Sequence, residues 1–321
     1  MKRLVLITAG VMLVLGVKAQ TVQQYTMYNL NHYIINPGAA GYENFADVRM
    51  GYRKQWTGLK EAPSTYYLSG HTVLNRPKTY QRSALRMSNT WTSRSRRKPM
   101  VKHAVGGFVN SSEFGAFKRL EATGSYALHL PVNRDISFSM GLSAGLKSFT
   151  FDESKGDVLY AGDPVYDAYA TSSRSNKFNV NTGFYVYSDQ FYFGYSVQQL
   201  VGNEIGLSNI SMAIGSEKFD MHHFVMGGYH FDLTNSLRLS PGFLFKKAGS
   251  NPLSYDINAM VTYKQFLSGG LAYRSQDAVS VMLSYHINGL IKLGYSYDYN
   301  TSEIRNVSSG SNEIFIAFTI Y

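Results

Sequence analysis

The side chains that could do chemistry in this sequence do not converge on a catalytic or metal-binding motif. Its eight histidines are dispersed, and His222 and His223 are the only adjacent pair. Neighbours on a strand point to opposite sides, so this pair alone supplies no shared ligand set. The sequence also lacks a glycine-rich phosphate loop and any cysteine. We therefore predict a protein that is not an enzyme, with no catalytic residue, no cofactor and no metal site.

Acidic and tyrosine side chains are concentrated in one predicted loop, residues 151–176. The acidic members are Asp152, Glu153, Asp157, Asp163 and Asp167. Oxygen-rich loops can bind Ca²⁺, but this spacing does not match an EF-hand loop. We therefore favour a solvated loop or a partner surface over a cation site. Amphipathic aromatic residues are frequent at interfaces, so the partner-binding candidates in this loop are Tyr160, Asp163 and Tyr166.

A second predicted loop, residues 76–100, is strongly basic, because no acidic residue occurs between Glu61 and Glu113. Two interpretations stay open for it. It is a solvated loop, or one that rests on anionic lipid head groups. Alternatively, it docks a protein partner electrostatically, which would weaken with salt. The candidate contacts for such docking are Arg94, Arg96, Arg97 and Lys98.

The elements that position these loops are predicted to be β-strands, because apolar residues alternate with polar or small ones. From Ile291 to Asn300 the odd positions are Ile, Leu or Tyr and the even ones are Lys, Gly, Ser, Asp or Asn. This period of two is typical of a barrel wall with one face toward lipid and one toward the lumen. The pattern gives about 14 strands, near residues 45–56, 63–75, 101–113, 116–130, 135–149, 177–188, 190–198, 221–231, 236–247, 253–264, 266–274, 278–287, 290–300 and 312–321.

The N-terminal residues indicate export. Lys2 and Arg3 precede an uncharged apolar run, residues 4–17, and Val17-Lys18-Ala19 offers a cleavage site before Gln20. The run is shorter than the roughly 20 residues that span a bilayer as a helix. We predict that residues 1–19 are a cleavable signal peptide, that 20–44 form a periplasmic or plug segment, and that 45–321 form one barrel domain.

Composition and loop lengths place this barrel in an outer membrane. The chain has 25 Tyr, 19 Phe and 29 Gly with 16 % charged residues, whereas roughly 25 % is usual in a soluble domain. Connections alternate between tight turns and long loops, as in outer-membrane barrels, with 76–100 as the exception. We predict an all-β, antiparallel transmembrane β-barrel that ends in a strand closed by Tyr321. The competing interpretation of this last strand is the edge strand of a soluble β-sandwich.

Without the predicted signal peptide, the formal net charge falls from +10 to +7, which favours anionic partners such as outer-membrane lipid. Nucleic acid is not expected as a partner of an exported barrel.

Residues 23–63 carry a succession of short motifs. They are a Gln-Tyr-rich start at 23–29, Asn-Pro-Gly-Ala-Ala-Gly at 36–41, Arg-Lys-Gln-Trp at 53–56, and Ala-Pro at 62–63. This succession resembles the PorP/SprF family of type IX secretion system membrane proteins, with Gly38 where the family more commonly has Ala. The positions that match the family motifs are Asn36, Pro37, Gly41, Arg53, Gln55, Trp56 and Pro63.

The resemblance implies a non-enzymatic outer-membrane component of type IX secretion and gliding in Bacteroidota. It further implies binding, anchoring or export of a secreted adhesin-type protein through a C-terminal sorting domain of type B, together with periplasmic ring lipoproteins as partners. The alternatives are an outer-membrane diffusion channel or hydrophobic-substrate transporter and, third, a barrel hydrolase.

Overall fold

The computed structural model describes residues 23–43, 45–75, 100–155, 174–201, 204–205, 217–218 and 220–320. Several sequence predictions lie outside these residues: the signal peptide, Tyr321, and the partner-binding candidates Arg94, Arg96, Arg97, Lys98, Tyr160, Asp163 and Tyr166. Among the described residues, no helix is long and apolar enough to cross a membrane.

The described residues form a closed antiparallel β-barrel of 14 wall strands, which confirms the predicted fold. The strands are β1 Ala46–Lys54, β2 Ser64–Val73, β3 Lys102–Phe114, β4 Phe117–Pro131, β5 Ser137–Phe151, β6 Arg174–Tyr187, β7 Phe191–Gln198, β8 His222–Tyr229 continued by Phe231–Thr234, β9 Leu237–Ala248, β10 Ser254–Tyr263, β11 Leu267–Arg274, β12 Ala278–His286, β13 Ile291–Asn300 and β14 Ser311–Ile320.

Each wall strand pairs with its neighbours in sequence, and the first strand pairs with the last. The register between β1 and β14 runs from Ala46 opposite Ile320 to Lys54 opposite Asn312. A two-residue ladder, Glu204–Ile205 with Glu217–Lys218, lies outside the wall. Short 3₁₀ helices span Thr26–Leu30, His32–Ile34, Pro37–Ala39, Glu153–Lys155 and Glu303–Asn306.

The wall strands show the alternation that the sequence predicts. In β12, Val279, Val281 and Leu283 face outward and are exposed, while Ser280 and Ser284 face inward and are buried. A band of outward apolar side chains suits lipid, and inward polar or small ones suit a lumen. The lumen side is therefore where side chains with specific chemistry meet.

The two ends of the barrel differ in their connections. At one end, here called the short-turn end, five connections are tight, at 132–136, 188–190, 235–236, 264–266 and 287–290, and only 74–101 is long. At the other, the long-loop end, the connections 152–173, 199–221 and 301–310 are each ten residues or longer. The predicted exception at 76–100 therefore belongs to the short-turn end.

Outer-membrane barrels usually carry their long loops outside the cell, so we expect the long-loop end to face the exterior. The chain has no native cysteine, which makes single cysteines unambiguous reporters. An impermeant maleimide added to intact cells should label Lys60→Cys at the long-loop end but not Arg134→Cys at the short-turn end; both positions are exposed. Arg134→Cys should become reactive once the outer membrane is permeabilised. Labelling in the reverse order would contradict this orientation.

Candidate functional site

The lumen is occupied by the residues that precede the first strand. Residues 23–43, here called the plug segment, run from the long-loop end, where Thr26 meets Asp298 near the end of β13, to the short-turn end. There the backbone N–H of Gly41 donates to His71 Nδ1 at 3.2 Å, a few residues before β1 begins. Most of the segment is buried, with Met27 and Tyr28 among the fully enclosed side chains.

The conformation of the plug segment follows from its sequence. Asn36 is an extended residue between two 3₁₀ turns, Pro37 opens the second of them, and the Asn36 side chain accepts a hydrogen bond from Gly38 N at 2.8 Å. Proline fixes φ at the start of such a turn, and Gly41 has φ +78°, which favours glycine. These residues turn the chain inside the lumen before it enters β1.

The wall is shaped to receive this turn. A Cβ atom at Gly183 would lie 2.0 Å from Asn36 Oδ1, and one at Gly141 would lie 2.3 Å from the Pro37 carbonyl carbon. Asn36 Nδ2 also donates to the carbonyl of Phe184 at 2.8 Å, and Ser139 Oγ donates to the carbonyl of Gly38 at 2.6 Å. Glycine in β5 and β6 therefore permits a close backbone approach, and the barrel is fitted to this segment in particular.

A buried ion pair network holds the part of the plug segment that lies nearest the long-loop end. Arg53 Nη2 lies 2.6 Å from Asp298 Oδ2, and Arg53 Nη1 lies 3.3 Å from Glu313 Oε2. Between them sits Thr26: its N–H donates to Glu313 Oε2, and its hydroxyl donates to Asp298 Oδ2, both at 2.7 Å. The same hydroxyl accepts from Arg53 Nη1 at 2.7 Å. One guanidinium thereby joins β1, β13, β14 and the plug segment.

A second buried arginine extends the network to the neighbouring strands. Arg274 lies 3.1 Å from Asp256 Oδ2 and 3.0 Å from Asp277 Oδ2, and its Nη1 donates to Gln24 Oε1 at 3.2 Å. Arg53 and Arg274 are each only 1 % exposed, so their charges depend on these carboxylates. The network therefore couples the start of the plug segment to five wall strands, β1, β10, β11, β13 and β14.

The part of the plug segment nearest the short-turn end is held by neutral and charged contacts. His129 Nε2 lies 2.7 Å from the Ala40 carbonyl, and Glu43 lies 3.6 Å from Arg49. In the middle, His32 Nδ1 lies 2.7 Å from the Tyr185 hydroxyl.

The residues that match the family motifs divide into two groups in the structure. Asn36, Pro37, Gly41 and Arg53 lie in the lumen, as described above. The other three lie at the rim of the long-loop end: Gln55 N donates to the Pro63 carbonyl at 2.8 Å, and Trp56 N donates to Ser311 Oγ at 3.1 Å. The motifs thus position the plug segment and the first loop.

The sequence did not single out the partners of Arg53. Asp298 and Glu313 are inward positions of alternating strands, where a lone charge facing a lumen requires a counter-charge. An acidic residue at an inward position could have marked Asp298 and Glu313, but it could not have shown that their partner is Arg53.

The two adjacent histidines point to different surroundings. His222 is buried toward the lumen, while His223 lies 2.8 Å from the Tyr195 hydroxyl. Within the described residues, no three His, Asp or Glu side chains are grouped to hold a metal ion.

Replacing Arg53 with Met should destabilise the folded barrel strongly, because it leaves Asp298 and Glu313 buried without a counter-charge. Breaking such a pair costs about 3–5 kcal/mol. The denaturant midpoint of the purified barrel, followed by gel mobility of unheated samples, measures the loss. The matched control Arg238→Met breaks a more exposed pair with Asp232, for which about 0–1 kcal/mol is expected. Equal midpoints for the two variants would contradict the role given to Arg53.

The fold is similar to that of solved outer-membrane β-barrels. The structure of the Ralstonia pickettii toluene transporter TbuX matches with a TM-score of 0.53 at 9 % identity, over 89 % of this chain and 92 % of that one. A Pseudomonas aeruginosa FadL homologue matches with a TM-score of 0.52 at 11 % identity and the same coverage. At these identities the likeness concerns the fold alone. Among curated proteins, none matches this sequence.

The family is established by the sequence itself. The family described as type IX secretion system membrane protein PorP/SprF matches residues 17–318, which is nearly the whole chain. The match includes the plug segment, the wall strands β1 to β13 and all of β14 except its last two residues. The chain therefore belongs to the PorP/SprF family of type IX secretion system membrane proteins.

Proposed function

We propose that this type IX secretion barrel is a non-enzymatic binding and anchoring subunit. In this proposal it holds a secreted adhesin-type protein at the cell surface, or assists its export, through the type B C-terminal sorting domain of that protein. The observation that carries the proposal is that the lumen is filled by the barrel's own N-terminal segment. A subunit with a filled lumen binds partners at the two ends of its barrel rather than conducting molecules through its lumen.

The contacts of the plug segment support this assignment over a diffusion channel. An open channel needs a continuous water-filled path, whereas here the plug segment contacts opposite sides of the wall. Asn31 Nδ2 donates to Ser69 Oγ of β2 at 2.8 Å, and Asn258 Nδ2 of β10 donates to the Tyr28 hydroxyl at 2.8 Å. Removing the segment would expose these polar groups and the network of Arg53.

The two candidate partner surfaces belong to opposite ends of the barrel. The basic connection, with Arg94, Arg96, Arg97 and Lys98, joins β2 to β3 at the short-turn end. The acidic and tyrosine-rich connection, with Tyr160, Asp163 and Tyr166, joins β5 to β6 at the long-loop end. We assign the first to periplasmic ring lipoproteins and the second to the secreted protein, in the gliding and secretion machinery of Bacteroidota. A signal peptide at 1–19 would deliver the chain to this membrane.

Conductance and surface display together test the role of the plug segment. The purified barrel should show little open-channel conductance in planar bilayers. Deleting residues 20–34 should produce a conducting barrel, and in cells it should lower surface display of the secreted protein. Folding of the variant is checked by its heat-dependent gel mobility. Large steady conductance in the intact protein, or unchanged display after the deletion, would count against an anchoring subunit with a filled lumen.

Charge reversal tests the periplasmic surface separately. Replacing Arg94, Arg96 and Arg97 with Glu should abolish co-purification of the ring lipoproteins, because an attractive field becomes a repulsive one. For the unaltered protein, raising the salt concentration should weaken the same association. The control reverses Arg134 and Lys264, which lie in or next to tight turns at the same end. If the triple variant retains the lipoproteins as the control does, the basic loop is not their docking surface.

A further inference from the structure

A cavity lies between the plug segment and one side of the wall. It is lined on the plug side by six residues, including Gln23 and Tyr25, and on the wall side mainly by residues of β3 to β8. Tyr25 separates it from the Arg53 network, since its ring packs edge-on against Tyr67, whose hydroxyl donates to Glu313 at 3.1 Å. The cavity is thus distinct from the contacts that hold the plug segment.

The cavity carries an excess of positive charge. Among the residues that the structure describes, the charged ones in its lining are Arg119, Lys147 and Glu121, which gives a formal net charge of +1. Glu121 already has partners, because Lys147 Nζ lies 3.9 Å from it and Asn179 Nδ2 donates to it at 2.7 Å. The guanidinium of Arg119 lies over the Phe149 ring at 5.0 Å and makes no ion pair with any residue that the structure describes.

Several polar atoms that line the cavity are buried and make no hydrogen bond within the described part of the chain. The donors are Arg119 Nε, Gln23 Nε2 and the Tyr25 hydroxyl, and the acceptors are Asn179 Oδ1 and Gln199 Oε1. Asn179 is 4 % exposed and Gln199 9 %. Buried polar groups in native proteins nearly always have a partner, so a set of five around one cavity indicates a bound polar group.

The arrangement selects a particular chemistry. One excess positive charge with three unpaired donors complements a group that has one negative charge and two acceptor oxygens, which describes a carboxylate. The two free acceptors suit an N–H donor next to it, as in an amino acid or a peptide end. A phosphate dianion is disfavoured, since Glu121 would repel its second charge. The free volume is about 50 Å³, and one water needs roughly 10–15 Å³, so the cavity admits a small polar group.

We propose that this cavity binds the carboxylate of a small amino-acid-like ligand or of a polypeptide C-terminus. Arg119 is the main charge partner, and Gln23 and Tyr25 of the plug segment complete the site. The site exists only while the plug segment is in place, because two of its donors belong to that segment. The inference does not depend on the anchoring role proposed above.

Calorimetric titration of the purified barrel in detergent tests this site. The probes are acetate, triglycine with a free carboxylate, triglycine amide and inorganic phosphate. We expect saturable binding of free triglycine and binding of its amide that is weaker by about tenfold or more. If acetate binds as tightly as triglycine, a small carboxylate is sufficient for binding. If triglycine binds and acetate does not, the ligand is a polypeptide C-terminus. Absence of carboxylate binding, equal binding of the amide, or tighter binding of phosphate would overturn the proposal.

Two substitutions of opposite sign separate binding from structure. Arg119→Gln should weaken carboxylate binding about tenfold, whereas Glu121→Gln should strengthen it, because it removes the only negative charge among the described lining residues. Arg174→Gln, at an exposed position of β6 outside the cavity, should leave binding unchanged. Gel mobility of unheated samples reports folding. If both cavity variants weaken binding to the same extent in folded protein, the cavity does not select a carboxylate by charge.

Discussion

The buried pairing of Arg53 with Asp298 and Glu313 lies at the seam where the barrel closes. Arg53 is opposite Glu313 in the register of β1 with β14, and Asp298 lies one strand further on. A guanidinium in this position is tolerable only if both carboxylates are present, since an unpaired buried charge costs several kcal/mol. The pairing therefore requires the first and last strands to be joined. Closure of the wall depends on these ion pairs as well as on the backbone hydrogen bonds between β1 and β14.

The same pairing makes the plug segment part of closure. Thr26 fills the space between the two carboxylates and donates a hydrogen bond to each. The segment is also continuous with β1, so it cannot be added after the wall has formed without threading a narrow lumen. Glycines of β5 and β6 that would clash with the segment if they carried a side chain show that the wall is matched to the turn at residues 36–38. The folded unit is the barrel with its segment, rather than a pore to which a plug is attached.

The wall was predictable from sequence because lipid imposes a period of two on every strand, and this constraint is local. The contacts inside the lumen were not, because they join residues far apart in sequence. Thr26 and Asp298 are separated by 272 positions, and alternation shows only that Asp298 faces inward. The motif resemblance marked Arg53 without its partners. The cavity around Arg119 was missed for the same reason, since its lining comes from six strands and the plug segment.

Departures from the family pattern become interpretable once the lumen is described. The motif resemblance led us to expect Ala at position 38, where this chain has Gly, and a Cβ atom there would lie 2.9 Å from the Gly183 carbonyl oxygen. In this chain the turn of the plug segment packs so close to β6 that the additional methyl group would displace backbone. Glycine rather than alanine at position 38 is therefore explained by the close approach of the plug segment to the wall.

The direction of the plug segment decides where partners can reach it. Its first described residues, Gln23 and Gln24, lie at the long-loop end, where Asn110 and Arg274 donate hydrogen bonds to them. Its last residues are fixed at the short-turn end by His129 and by Arg49. Displacing the whole segment would break the contacts at both of its ends. A ligand at the long-loop end can instead contact the first residues of the segment while the contacts with His129 and Arg49 at the short-turn end stay intact. Recognition at that end and a filled lumen are therefore compatible, because the segment itself forms part of the surface presented there.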